Sequence, residues 1–344
     1  MKRAAILVVS LVLQLPRLAT ARDAIPSATI QITPFGAPVG QTPLISARNS
    51  RLYLFDDRTN RLFICDDSGR VLKTTGSIGD GPGQFFKPSA MVTSAHSVVI
   101  YDRGNSRIVV LTLDGDFKSQ FPIKTQLYNI AAGDDDTIYI NDPSSGHLIT
   151  ALDINGRMLR SFGDLSSLSV LHHTSNQTRD ERFHLTANRV RLAVDKSGRI
   201  FAVFMIAPVI REYSRDGTLI KEAGFDDANA HQLQELFWHK DPNLPITSGI
   251  IDGNQVPFLV KDAAVNPATG QLVVLTALSK LLIFDGNCKE ASVLEIKGAM
   301  DSQLWKMAVE DRSIWLVRVF LPGTFHGEIP EPQSLPSLAA KQTH

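Results

Sequence analysis

The stretch that decides the fold is Gly79–Phe121, GDGPGQFFKPSAMVTSAHSVVIYDRGNSRIVVLTLDGDFKSQF. A glycine-rich lead-in (Gly79, Gly81, Pro82, Gly83) runs into a short apolar segment, Ala90–Val92. A turn follows, then Val98–Tyr101, a loop from Asp102 to Arg107, Ile108–Leu113, the turn pair Asp114-Gly115, and a last run opened by Phe117. Short apolar runs bounded by Gly, Asp and Ser are strand signals, and four in about forty residues make one antiparallel propeller blade. Asp102 ends the second strand and Arg107 opens the third, so charge-assisted hydrogen bonds between them can fix the turn.

The order of these residues resembles the NHL repeat: GxGxGPGxFxxP, a strand, D-x-x-N-x-R-[IV], then D-G and an aromatic. Gly79, Gly81, Pro82, Gly83, Phe85, Pro88, Asp102, Asn105, Arg107, Ile108, Asp114 and Gly115 carry the likeness. It covers this blade nearly in full and the others only partly.

Imperfect copies flank it. Leu52–Phe55, Asp56, Arg61 and Ser68-Gly69 make a first; Ile138–Ile140, Asp142, His147 and Asn155-Gly156 a third. Ile200–Phe204 with Asp216-Gly217, Leu272–Leu275 with Asp285-Gly286, and Ile314–Val319 mark the fourth, fifth and sixth. By analogy with the Asp102/Arg107 pair, Asp56 and Arg61 are expected to hold the first blade's turn. Blade four has Phe204 and Val209 there, and must hold its loop by packing. The prediction is an all-β, six-bladed propeller of four-stranded antiparallel blades spanning 22–327. The sixth copy runs into Pro322, Pro330, Pro332 and Pro336, which do not continue a sheet. Its missing outer strand has a donor in Thr29–Thr33, so an N-terminal strand closes the ring and hides the edges. Residues 328–344 then form a Pro-rich flexible tail.

Lys2 and Arg3, the apolar run Ala4–Leu15, and Ala19-Thr20-Ala21 have the order of a secretory signal peptide, residues 1–21. Its run is too short to span a bilayer, which takes about 20 residues. The expectation is an exported, periplasmic or extracellular monomer with no membrane span after cleavage. Lys plus Arg equal Asp plus Glu at 35 each, and no basic block occurs, which argues against a nucleic-acid partner. Cys65 and Cys288 fall in blades one and five, too far apart to bridge, and read as buried apolar fillers.

Two insertions, 163–188 and 226–258, lie between the last strand of one blade and the first of the next. Both therefore rise from one face and flank blade four, as binding loops on a rigid scaffold do. The second contains ANAHQLQELFWHK, an amphipathic helix with Ala230, Leu233, Leu236 and Phe237 on one side. His231, Glu235 and His239 are spaced at i, i+4 and i+8, but three residues over two turns converge poorly on one ion; a solvated polar face accounts for them. His172, His173 and His184 read as surface histidines, and Asp134-Asp135-Asp136 as a tight turn rather than a calcium loop. No G-x-S-x-G, no reactive cysteine setting and no phosphate-cradling loop appears, so no catalytic residue is assigned.

Aligning the inner strands places Pro43, Ser89, Asn129, Arg191, Asp262 and Lys306 in one column at the channel mouth on the insertion face. Lys87, Arg189 and Lys261 stand just before three of them, giving a basic rim against Asp262. Low-dielectric walls focus such a field, so Lys87, Asn129, Arg189, Arg191, Lys261, Asp262 and Lys306, with Trp238 from the helix, are the expected ligand-binding set. The partner expected is a protein, peptide or small anionic ligand, without a cofactor. The alternative is a metal-dependent lyase or lactone hydrolase of the amidating-lyase or gluconolactonase propeller type. That reading needs a divalent ion in the channel, and the column offers it only Asn129 and Asp262. A purely structural propeller is the third class.

Overall fold

The structure, a computed structural model, describes residues 27–31, 33–35, 44–166, 185–238, 248–251, 254–278, 280–297, 304–311, 313–318 and 324–328. Six sheets follow one another in chain order. From inner to outer strand, blade one is Leu44–Arg48, Arg51–Asp56, Arg61–Asp66 and Val71–Thr75; blade two is Ala90–Thr93, Ser97–Asp102, Arg107–Thr112 and Phe117–Pro122. Blade three is Asn129–Ala132, Ile138–Asn141, Ile149–Leu152 and Met158–Phe162, and blade four Val190–Val194, Ile200–Phe204, Val209–Tyr213 and Leu219–Gly224. Blade five is Val260–Val265, Leu272–Thr276, Lys280–Phe284 and Glu290–Lys297. Blade six is Leu304–Glu310, Ser313–Arg318, Thr324–Glu328 and, from the N-terminal side of the chain, Thr33–Phe35. Each inner strand lies against the next, and the sixth against the first, so the ring is closed.

The expected closing strand is corrected in one respect. Thr29–Thr33 does not form a single outer strand of blade six. Ser27–Gln31 instead adds a fifth strand to blade five, parallel to Glu290–Lys297, and Thr33–Phe35 pairs antiparallel with Thr324–His326 in blade six. The short segment is thus divided between two blades, and both outer edges are covered.

Second strands such as LYLF, VVIY and IFAVF are continuous apolar runs because a blade is buried on both faces. Tyr53 and Phe55 pack into the layer between blades one and two, whereas Leu52 and Leu54 face the layer between blades six and one. Six such layers, one per junction, make up the core. The turn glycines fit this packing: Gly156 and Gly217 hold φ of 84° and 92°, and a Cβ on either would collide with Phe121 or Phe162 of the preceding blade. In blade five the equivalent left-handed position is Cys288 (φ 52°), not Gly286, so the sequence landmark was two residues early. Cys65 and Cys288 are buried free thiols in separate blades; burial raises the first to about 11, and burial with the nearby Glu212 raises the second to about 12.

On the face opposite the insertions every junction carries a polar link. Arg51 meets Asp114 between blades one and two, Ser94 meets Asp136 between two and three, and Arg215 meets Asp135 between three and four. Arg199 donates to the Gly286 carbonyl, Asn266 Nδ2 to that of Asp311, and the Ser50 amide to Glu310, completing the circuit.

Most of the first insertion, with His172, His173 and His184, lies outside the described residues, as do the signal-peptide region, the tail beyond 328, and His239. In the second insertion a helix, α1 (Asp227–Trp238), is followed by a hairpin, Ser248–Ile251 and Asn254–Pro257.

Candidate functional site

The blade-two motif is a structural site. All five N–H groups of Arg107 are used: Nε donates to Asp102 Oδ2 (3.0 Å), and the terminal nitrogens donate to Gln120 Oε1 (2.8 Å) and to the carbonyls of Asp80, Gly81 and Gln84. Asp102 in turn accepts from the Phe86 amide (2.7 Å) and Asn105 Nδ2 (2.8 Å). The glycine-rich lead-in therefore folds around a guanidinium, and its glycines let the backbone carbonyls approach. Blade one differs: Asp56 accepts from the Arg58 amide and the Thr59 hydroxyl, while Arg61 is exposed and does not pair with it.

The channel between the inner strands encloses a cavity of about 150 Å³. Asn129, Asp262 and Lys306 line it toward the insertion face, and Arg48, Asp134, Asp195 and Lys196 toward the other. An inner strand has no neighbour on its channel edge, so its outward N–H groups need other acceptors. Asn129 Oδ1 takes the Leu192 amide of blade four (2.8 Å), and Asp262 Oδ2 takes the Met307 amide of blade six (2.9 Å). Both column residues thus reach across to the following blade, a role that the column alignment alone did not reveal.

The expected basic rim resolves into distinct environments. Lys306 lines the cavity, and its Nζ lies 3.9 Å from Asp262 Oδ1 and makes no hydrogen bond among the described residues. Burial first, and then the charge of Arg191, pull its ammonium down to about 8, against the opposing pull of Asp262. Arg191 is buried beside this pair without lining the cavity; its own value is lowered by burial. Arg189 stacks 4.2 Å from the Tyr128 ring and 5.9 Å from that of Phe258, a cation–π arrangement with aromatics that the sequence reading did not select. Lys87 is exposed on the loop into blade two, over the Phe86 ring. Lys261 is corrected: at 2% exposure it is an interior residue, not a rim cation. The register slips between Val260 and Asp262, so Lys261 is the extra residue of a bulge, and the alternation that would have kept it on the rim is broken there.

The helix also differs from expectation. Leu233 enters the layer between blades four and five, Asn229 Nδ2 and the Asp226 amide hold Glu290, and Gln232 accepts from Lys280. The contacts of Asn229, Gln232 and Leu233 are therefore with blade five and the layer between blades four and five. His231 is exposed; the side chains of Glu235, Phe237 and Trp238 lie outside the described residues.

Comparison with known proteins agrees with this architecture. A family model described as a 6-bladed beta-propeller matches residues 33–161. No curated protein matches the sequence. Among solved structures, a Bacteroides fragilis NCTC 9343 protein inferred to be exported aligns at 11% identity and TM-score 0.56, over 91% of this chain and 98% of that one. A streptogramin B lyase aligns at 13% identity and TM-score 0.50, over 88% of each chain. A virginiamycin B lyase from Staphylococcus aureus aligns at 11% identity and TM-score 0.47, over 84% and 82%. At such identities the first two likenesses are of fold alone. The chain is a six-bladed β-propeller.

Proposed function

We propose that this chain is an exported β-propeller that binds a carboxylate-bearing ligand, small or carried on a peptide or protein, at the channel end where Lys306, Asp262 and Arg191 meet. The observation that carries the reading is the Lys306 ammonium. It belongs to a residue that lines the channel cavity, makes no hydrogen bond among the described residues and stands next to a second buried cation, and its carboxylate neighbour already serves the Met307 amide. A desolvated cation so placed gains most from an anion that supplies both charge and acceptor oxygens. Export is supported by the order of residues 1–21 and by the likeness to a protein inferred to be exported.

The lyase alternative would need a divalent ion on the inner-strand column. Asn129 Oδ1 and Asp262 Oδ2 accept from backbone amides, and the other Asp262 oxygen, Oδ1, has the Lys306 ammonium 3.9 Å away, so the donor set suits an anion better than a cation. Calorimetric titration with succinate and with a short acidic peptide, against their amide counterparts, tests the binding reading. Carboxylates should bind, weaken as salt rises and lose affinity in Lys306→Met. Amides that bind equally well, or carboxylate affinity indifferent to Lys306→Met, would sink it.

A further inference from the structure

The channel presents Lys306 as more than a charge. Lys306 is part of the wall of a cavity of about 150 Å³. Among the described residues the other lysine on that wall, Lys196, is exposed at the opposite end. Asp262 stands 3.9 Å away, able to relay a proton while its second oxygen keeps the Met307 amide. A lysine desolvated beside another cation is the setting in which an amine becomes a nucleophile near neutral pH.

We propose that Lys306 is a carbonyl-reactive amine that forms a reversible imine with a small aldehyde held in the channel. In the reaction the ammonium first gives up a proton. The nitrogen lone pair then attacks the carbonyl carbon, the π electrons move to oxygen, and oxygen takes a proton to give the carbinolamine. Loss of that oxygen as water leaves the protonated imine, so ammonium plus aldehyde becomes iminium plus water, with no oxidant or reductant. Asp262 is placed to carry the proton between nitrogen and oxygen.

The groups around the amine favour its neutral form. Among the described side chains, Asp262 on the inner strand of blade five and Arg191 on that of blade four act on it; the inner strand of blade one carries only Arg48, at the far end of the channel. Arg318, on the second strand of blade six, is in register with Leu304 rather than with Lys306. With the amine at about 8, roughly a tenth of it is neutral at pH 7, against roughly three in ten thousand for an unperturbed lysine. The weaker basicity takes back part of that gain in nucleophilicity.

The proposal stands apart from anion binding, because a neutral aldehyde tests it without a carboxylate. The folded protein is treated at pH 7 with propionaldehyde and cyanoborohydride, which traps imines, and labelled peptides are quantified by mass spectrometry. Lys306 is expected to be labelled about tenfold faster than the exposed Lys87 and Lys196, with a rate that rises through pH 8 and levels off. Lys306→Met should keep its melting temperature near that of the parent and lose the fast-labelled peptide. Labelling of Lys306 no faster than Lys87 and Lys196, or rising only toward pH 10 as theirs does, overturns the assignment.

Discussion

Arg107 spends no donor on water: one carboxylate, one amide oxygen and three backbone carbonyls take all five of its N–H groups. Asp102→Ala would leave that guanidinium buried and only partly satisfied, and would strip the Phe86 amide of its acceptor; a loss of about 3 kcal/mol is expected in urea unfolding. Asp56→Ala, beside the exposed Arg61, should cost about 1 kcal/mol. Equal losses would remove any special role for the buried pair. Lys306 makes a pH prediction. Its folded value lies below that of an unfolded lysine, so between about 8 and 10.5 the unfolded chain holds the extra proton and stability should rise with pH. The melting temperature should climb across that window and the slope should flatten in Lys306→Met; a parallel slope in the two proteins would place the titration elsewhere. Asp102 and Arg107 were legible in sequence because D-x-x-N-x-R is a local turn code. Lys261 was not, because a bulge shifts register by one residue and is decided by the partner strand.

The elements show the same division between local and distant information. Strands were readable wherever both faces are buried, as in VVIY and LVVLT, and α1 was readable from its apolar spacing. What α1 docks against was hidden, since Glu290 and Lys280 lie more than forty residues downstream. Leu233→Ala should cost about 3 kcal/mol through loss of packing between blades four and five. Glu290→Ala should loosen the helix locally, seen as faster hydrogen exchange in 227–238 with the rest of the ring unchanged; unchanged exchange there would mean that packing alone holds α1. The hairpin from Ser248 to Pro257 went unread because its strands are four residues each, too short to show a period.

At the scale of the whole molecule, the ring is a circuit of six apolar layers with a polar link at each junction on one face. Blade count was legible because second-strand apolar runs recur, from Leu52–Phe55 to Ile314–Val319, and closure because blade six lacked a strand in its own segment. The division of the N-terminal segment between blades five and six was not, since TIQIT satisfies either edge by composition. That division makes a prediction about closure. Removing residues up to Gln31 strips only the fifth, parallel strand from blade five, leaving all six blades with four strands. Removing residues up to Phe35 also takes the outer strand of blade six. Blade six would then hold three strands, with its third strand, Thr324–Glu328, as an open edge beside the junction where first and last blades meet. The first truncation should lower the melting temperature modestly and keep a single unfolding transition. The second should bring rapid hydrogen exchange to Ser313–Arg318 and, through the shared layer of Ile45, Leu54 and Trp315, to the first strands of blade one before the other blades open. If the two truncations behave alike, closure does not depend on Thr33–Phe35, and the apolar layer between blades six and one suffices to hold the ring.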